Sequence, residues 1–259
     1  MTLDHFHVDA FADRVFTGNP ASVVPLKRWL PGSVLQSLAM ENNHAETAFF
    51  VPRANGFHLR WFTPKVEVDL CGHATLAAAH VLWTHLGHTG DPIRFATLSG
   101  ELAVTRESGR LILDFPSRPA QSVVCPPALS EGLGAAPFQV WKARDYLAVF
   151  RREDDVRALT PNFARLAELD CLGIIATAPG KSVDFVSRFF APRAGINEDP
   201  VTGSAHCTLT PYWAKRLGKP RLRAEQLSAR GGRLWCEIAG DRVKIAGHAV
   251  TYLQGKIDL

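Results

Sequence analysis

The sequence predicts an α+β fold built twice over, with mainly antiparallel strands. The first observation behind this is a repeated motif. Residues 60–75 read RWFTPKVEVDLCGHAT and residues 188–206 read RFFAPRAGINEDPVTGSAH. Each copy opens with Arg and two bulky apolar residues (Arg60, Trp61, Phe62; Arg188, Phe189, Phe190). A small residue, Pro and a base follow (Thr63, Pro64, Lys65; Ala191, Pro192, Arg193), and each copy ends at a Gly that starts a helix-like run. The second copy is three residues longer between Pro and Gly. A spacing of about half the chain is too long for a solenoid repeat and points to duplication of a whole domain. The second observation is element order. Helix, strand, strand, motif, apolar helix occurs twice, without regular βαβ alternation. The third is the run at 73–86, HATLAAAHVLWTHL, apolar on nearly every face. Such a helix sits inside a protein, and Ala74, Ala77, Ala78 and Ala79 let strands pack close around it.

Along the chain, Phe6, Val8 and Ala10 alternate with His5, His7 and Asp9 as a first strand. Gly18-Asn19-Pro20 is a turn. Ser33 can cap a short helix carrying Val34, Leu35, Leu38 and Ala39. Strands are expected at 47–51 and 59–62, the second stopped by Pro64, then the buried helix, then strands at 93–97, 101–106 and 111–115. Pro116-Ser117-Arg118-Pro119 reads as a linker, which divides the chain into lobes 1–117 and 118–259. In the second half, strands are expected at 138–142 and 146–150, and a helix at 161–168 capped by Thr160. Strands at 172–177 and 183–190 precede the second motif. A helix from about 203 to 217 and strands at 233–238, 242–246 and 250–253 complete it.

The chain has 259 residues, 46% of them hydrophobic, enough for two ordinary cores. The net charge of +4 is mild. The densest basic stretch, 215–233, reads as a solvated helix end and strand edge, not as a nucleic-acid footprint. No apolar run reaches the length of a membrane span. The N-terminal MTLDHFHVDAF lacks the basic and apolar regions of a signal peptide. Five scattered cysteines without a CxxC pair fit free thiols, and with them a cytoplasmic location is expected. No GxGxxG or Walker A sequence supports nucleotide binding.

The two Gly-headed helix starts carry the chemistry. Free N–H groups and the positive dipole end favour anions there. Gly72-His73 and Gly203-Ser204 can each hold a carboxylate or a developing oxyanion, and pseudo-symmetry would set the two ends facing across an interdomain cleft, the usual place for a ligand. A Gly that merely permits a tight turn is the plainer explanation of either copy alone. Glu46 is the acid–base candidate. It follows a polar loop and precedes the apolar strand Ala48–Val51, and apolar walls can raise a carboxylate's pKa toward neutrality. From the local sequence alone, a surface or capping Glu at a strand start is the better explanation. Asp199 can bind a polar substrate group or cap the following helix. His73 and His206 are read as opening the two helices at matching places. A metal site from Cys71, His73 and His80 fits no common zinc spacing, so no metal is expected.

Four stretches, FTGNPASVV at 16–24, ETAFFV at 46–51, RWFTPKVEVDLCGHATLAAAHVL at 60–82 and EDPVTGSAH at 198–206, resemble the signatures of the PhzF-like family, named for the phenazine biosynthesis isomerase, and they stand in the family's order. The resemblance implies the diaminopimelate epimerase-like fold, with two pseudo-symmetric lobes, each a β-barrel-like sheet around one central helix. It implies a cofactor-free, often dimeric enzyme. Glu46 would take a proton from carbon and return it elsewhere, His73 and Asp199 would assist, and Gly72, Gly203 and Ser204 would anchor a carboxylate or oxyanion. Asn19 would line the pocket.

The function expected is an isomerase that moves a proton within a small carboxylated substrate, cyclic or unsaturated. One rival is a cysteine-dependent amino-acid racemase or epimerase using one thiol per lobe. Cys71 resembles the first thiol, but Pro200 or Val201 stands where the second would fall, and Cys207 lies past the helix start. The other rival is a non-catalytic protein that keeps the site to bind small acids or a protein.

Overall fold

The computed structural model describes residues 1–259. In chain order the elements are β1 (Thr2–Ala10), β2 (Asn19–Pro25), α1 (Gly32–Asn42), β3 (Glu46–Arg53), β4 (Gly56–Phe62), β5 (Glu67–Val68), α2 (Gly72–Thr84), β6 (Ile93–Thr97), β7 (Gly100–Glu107) and β8 (Arg110–Pro116). There follow β9 (Gln121–Ser122), α3 (Pro127–Leu133), β10 (Gln139–Lys142), β11 (Tyr146–Val149), α4 (Glu153–Arg157), α5 (Phe163–Leu166), β12 (Ile174–Pro179) and β13 (Phe185–Phe190). The chain ends with α6 (Gly203–Leu217), β14 (Arg221–Gln226), β15 (Gly232–Ala239), β16 (Arg242–Gly247) and β17 (Ala249–Asp258). This is a sheet-dominated α+β fold. No helix is long and apolar enough to cross a membrane. The chain forms two compact units, Met1–Asp114 with Ala246–Leu259, and Phe115–Ile245. The duplication assigns the last residues to the second half, whereas β17 pairs with β1 from Thr2↔Asp258 to Ala10↔Ala249 and so returns to the first unit.

In the first unit β1–β2 is antiparallel, β2–β3 parallel, β3–β4 antiparallel, β4–β6 parallel and β6–β7 antiparallel. The second unit repeats that succession with β10–β11, β11–β12, β12–β13, β13–β14 and β14–β15. Parallel neighbours need a crossover, and helices supply it. Hence α2 spans β4 to β6, and α6 spans β13 to β14. Both repeat motifs lead directly into these crossover helices.

The residues of α2 from His73 to Ala79, with Val81 and Leu82, are buried. That is the burial its all-round apolar sequence requires. Helix α6 buries its first three turns and exposes its end, Lys215 to Leu217. Pro211 lies inside it and cannot donate to the Cys207 carbonyl one turn back. The backbone N–H of Arg118 takes that carbonyl instead, at 2.9 Å. The core of the second unit gathers Leu129, Val156, Leu166, Ile174 and Phe190, and one core of the first gathers Val24, Leu35, Phe49 and Phe62.

Several local expectations shift. Pro31, not Ser33, stands at the N-cap of α1. The helix expected at 161–168 shrinks to α5, capped by the Asn162 side chain rather than Thr160. Helices α3 and α4 have apolar patterns too short to announce themselves. The basic stretch runs from the end of α6 through β14 to the start of β15, and in β14 Leu222, Ala224 and Gln226 point inward and Arg221 and Arg223 outward.

Candidate active site

Glu46 opens β3, and strand register sets Glu46 opposite Ala21 of β2, two residues beyond Asn19. Gly18 makes the approach to Asn19 possible. Its φ is +70°, and a Cβ there would meet the Ala10 carbonyl oxygen at 2.2 Å. Asn19 and His73 are both buried, and the Asn19 amide nitrogen lies 3.2 Å from His73 Nδ1. The other ring nitrogen, Nε2, lies 3.2 Å from Glu46 Oε2. That is ion-pair distance, yet neither atom is aligned for a hydrogen bond, and both are sealed from solvent. A buried acid and imidazole that touch without satisfying each other keep donor and acceptor capacity for a third group. Asn19 can serve either ring state, since its NH2 donates to a neutral Nδ1 and its oxygen, after an amide flip, accepts from an imidazolium N–H.

Burial pulls the His73 imidazolium down, and the polar neighbours Cys71 and Glu46 push it up; the net direction is well above the usual histidine value. The Cys71 thiol is itself pushed up to about 11, first by burial and then by Glu46. It is therefore a neutral thiol near neutral pH. Cys71 Sγ lies 3.5 Å from His73 Nδ1. Glu46, Cys71 and His73 together bring three potential metal donors within 4.8 Å of one another. His80, the third member weighed from sequence, is elsewhere and shares the Thr251 hydroxyl with His85, at 2.9 and 2.7 Å.

Gly72 and Gly203 are the first residues of α2 and α6, and neither has a positive φ. Glycine is thus not required there by backbone conformation. Neither Cys71 nor Thr202 caps its helix through a side-chain hydrogen bond. Both starts keep N–H groups open to an anion.

In the second unit Asp199 is 8% exposed and its Oδ2 accepts the Thr202 hydroxyl. Gln226 holds the same turn, donating to the Asp199 carbonyl at 2.7 Å and accepting from the Thr202 N–H at 2.9 Å. Ser204, the second residue of α6, accepts from Arg144 Nη2 at 3.2 Å. The position matching His73 is therefore Ser204, and not His206, as the sequence suggested. His206 lies one turn further in, fully buried, with Nδ1 2.8 Å from the Thr202 carbonyl, and burial lowers its pKa to about 4. Gln226 and Arg144 are missed by sequence reading.

The arginine that opens each motif has a partner the sequence could have supplied. Arg60 grips Glu67 through two bonds of 2.7 Å, and Arg188 grips Glu198 through bonds of 2.7 and 2.9 Å. Each guanidinium also covers the second aromatic ring of its motif, Phe62 at 5.1 Å and Phe190 at 5.0 Å. Glu67 and Glu198 stand at equal spacing before Gly72 and Gly203, so the three extra residues of the second copy lie inside the loop that each pair closes. Glu198 also immediately precedes Asp199, so this ion pair fixes the backbone that delivers it.

A fold of this kind defines a class. It is shared with a solved hydroxyproline epimerase from Agrobacterium vitis, at a TM-score of 0.61 and 10% identity over 99% of this chain and 92% of that one, a likeness of fold alone. Within that class the chain belongs to the PhzC-PhzF family of phenazine biosynthesis-like proteins, whose model matches residues 8–255. An uncharacterized isomerase from Pseudomonas aeruginosa is 54% identical over 259 residues, covering 100% of both chains. A crystal structure of a PhzF-family phenazine biosynthesis protein from Enterococcus faecalis superposes with a TM-score of 0.98, at 46% identity and full coverage of both chains.

Proposed function

We propose that the protein is a cofactor-independent isomerase that moves a proton between two carbons of a small carboxylated metabolite, cyclic or unsaturated. Its isomerase class follows its relatives. The observation that carries the mechanism is the buried contact of 3.2 Å between Glu46 Oε2 and His73 Nε2, with hydrogen-bonding capacity left on both atoms. Glu46 takes the proton from carbon. The electron pair left behind spreads into the adjoining unsaturated or carboxylate system, and the proton returns at the other end of that system. His73, steadied by Asn19, stabilises the negative charge and shares the proton. Gly72, Gly203 and Ser204 bind the carboxylate or oxyanion through open N–H groups, and Asp199 holds a polar substrate group.

The same proposal takes the two units as pseudo-symmetric lobes, each a sheet wrapped round its crossover helix. The repeated order of strand pairings supports this. The homodimer that the resemblance implies belongs to it as well, and sedimentation equilibrium tests that part.

A thiol mechanism has less support. Burial pushes Cys71 and Cys207 each up to about 11, so neither is a ready base. The deciding experiment screens small cyclic carboxylates and amino acids in heavy water. The wild type should incorporate deuterium into at least one of them, and Glu46→Gln should abolish that incorporation with the fold intact. An unimpaired Glu46→Gln variant sinks the assignment of Glu46.

A further inference from the structure

The β10–β11 turn carries a cation that the acid–base chemistry above does not use. Arg144 Nε lies 3.3 Å from both carboxylate oxygens of Asp145, and its Nη2 lies 2.9 Å from Oδ2. Asp145 is 1% exposed and also accepts the Gly173 N–H at 3.1 Å. A buried carboxylate thus fixes the plane of the guanidinium. The same Nη2 reaches Ser204 Oγ at 3.2 Å. Since Ser204 Oγ accepts there, its own proton is left to donate elsewhere. The Arg144 side chain is 34% exposed, within reach of a small molecule.

A second arginine is anchored beside α6. The Arg118 backbone N–H bonds to the Cys207 carbonyl at 2.9 Å, and Ser204 and Cys207 are one turn apart on one helix face. Nη1 of Arg118 is sealed from solvent and has no hydrogen-bond partner. A cationic nitrogen in that state is costly unless an anion completes it. Burial keeps the Cys207 thiol neutral against the pull of Arg118 and Arg144, so Cys207 is not that anion. Asp145 offsets one of the two positive charges. Arg118 and the open helix end, N–H groups outward, leave this face positive.

We propose that Arg144 and Arg118, with the Ser204 hydroxyl, form a carboxylate subsite on the Ser204–Cys207 face of α6, and that Arg144 selects substrates carrying an ionised carboxylate. The proposal rests on the reading of Ser204 as a substrate-binding residue. It adds a charged specificity determinant to a position otherwise served only by a hydroxyl and backbone N–H groups.

Malonate is the probe, titrated calorimetrically into the wild type and into the Arg144→Gln, Arg118→Gln and Glu46→Gln variants. Arg144→Gln and Arg118→Gln should each weaken malonate binding at least about tenfold, equal to about 1.4 kcal/mol, while Glu46→Gln should not weaken it. Should Arg144→Gln fail to fold because Asp145 loses its partner, Arg118→Gln decides, since its backbone bond to Cys207 survives. Malonate binding within twofold of the wild type in the folded arginine variants overturns the subsite, as does a wild type that does not bind malonate. Arginine-dependent binding of inorganic phosphate in place of malonate overturns the carboxylate assignment. A Glu46→Gln variant that exchanges deuterium at the wild-type rate defeats the acid–base reading alone, and arginine variants that keep malonate defeat the subsite alone.

Discussion

The starts of α2 and α6 hold the same place in their units and present different chemistry. The second residue of α2 is His73, met by Asn19 at the beginning of β2. The second residue of α6 is Ser204, met by Arg144 in the turn before β11. An arginine–glutamate pair precedes each helix, and each helix bridges two parallel strands. What recurs is therefore the frame: a crossover helix, an ion pair that closes the preceding loop, and a side chain from the entry to β2 or β11 aimed at the helix start. What differs is the polar content, an imidazole beside a carboxylate in one unit and a hydroxyl beside a guanidinium in the other. The first set suits a proton and the second an anion. Duplication keeps what packing needs and leaves the polar groups at the helix starts free to diverge.

The contrast can be broken at the proton end first. Glu46→Gln should cost about 10²–10⁴-fold in deuterium exchange, the typical contribution of a positioned acid–base group. The matched change in the second unit, Ser204→Ala, should instead raise KM for the exchanged substrate with a smaller effect on kcat.

Protonation separates the units next. His206 is depressed to about 4 against a usual 6.5. Its neutral form is therefore favoured by folding, and that stability is present above pH 6.5 and lost as pH falls toward 4. The difference is worth about 3 kcal/mol at most. His73 is shifted the other way. Its stabilisation is complete below the ordinary histidine pKa and disappears as pH rises through its raised folded value. His206→Gln should accordingly flatten the loss of stability between pH 6.5 and 4 in urea unfolding, whereas His73→Gln should flatten the loss that sets in as pH rises above 6.5.

The two ion pairs should differ less. Arg188 is 12% exposed and also donates to the Leu159 carbonyl at 2.8 Å, while Arg60 is 22% exposed. Arg188→Ala should cost about 2–3 kcal/mol and Arg60→Ala about 1–2 kcal/mol, read from denaturant midpoints. Reversal of that order would mean that the extra carbonyl contact contributes nothing. The smallest effect is expected from Cys71→Ser, with exchange kept within a few-fold, whereas a thiol mechanism predicts its loss.

Much of the frame was legible in the chain. Helix α6 spans the residues its pattern predicts, and α2 differs only at its ends, because apolar runs of that length have few alternatives. Glu67 and Glu198 were legible too, at equal spacing before the helix-opening glycines. Matching His73 to His206 failed for a related reason. The glycines set the alignment, and they match His73 to Ser204. Arg144 left no local signal. It lies in a turn of polar residues, and its meeting with Ser204 sixty positions later depends on how β10, β11 and α6 pack.

The sequence by itself determined most of the strands, though not β2 or β14, and with them the two crossover helices and the duplicated motif, since each is encoded in periodicity or spacing over a few turns. Only the tertiary structure decided which polar groups meet. Asn19 reaches His73 across fifty-four residues, Arg144 reaches Ser204, and β17 returns to β1. Local pattern records which face of an element is buried. It carries no record of the strand register and crossover packing that choose the partner on the other side.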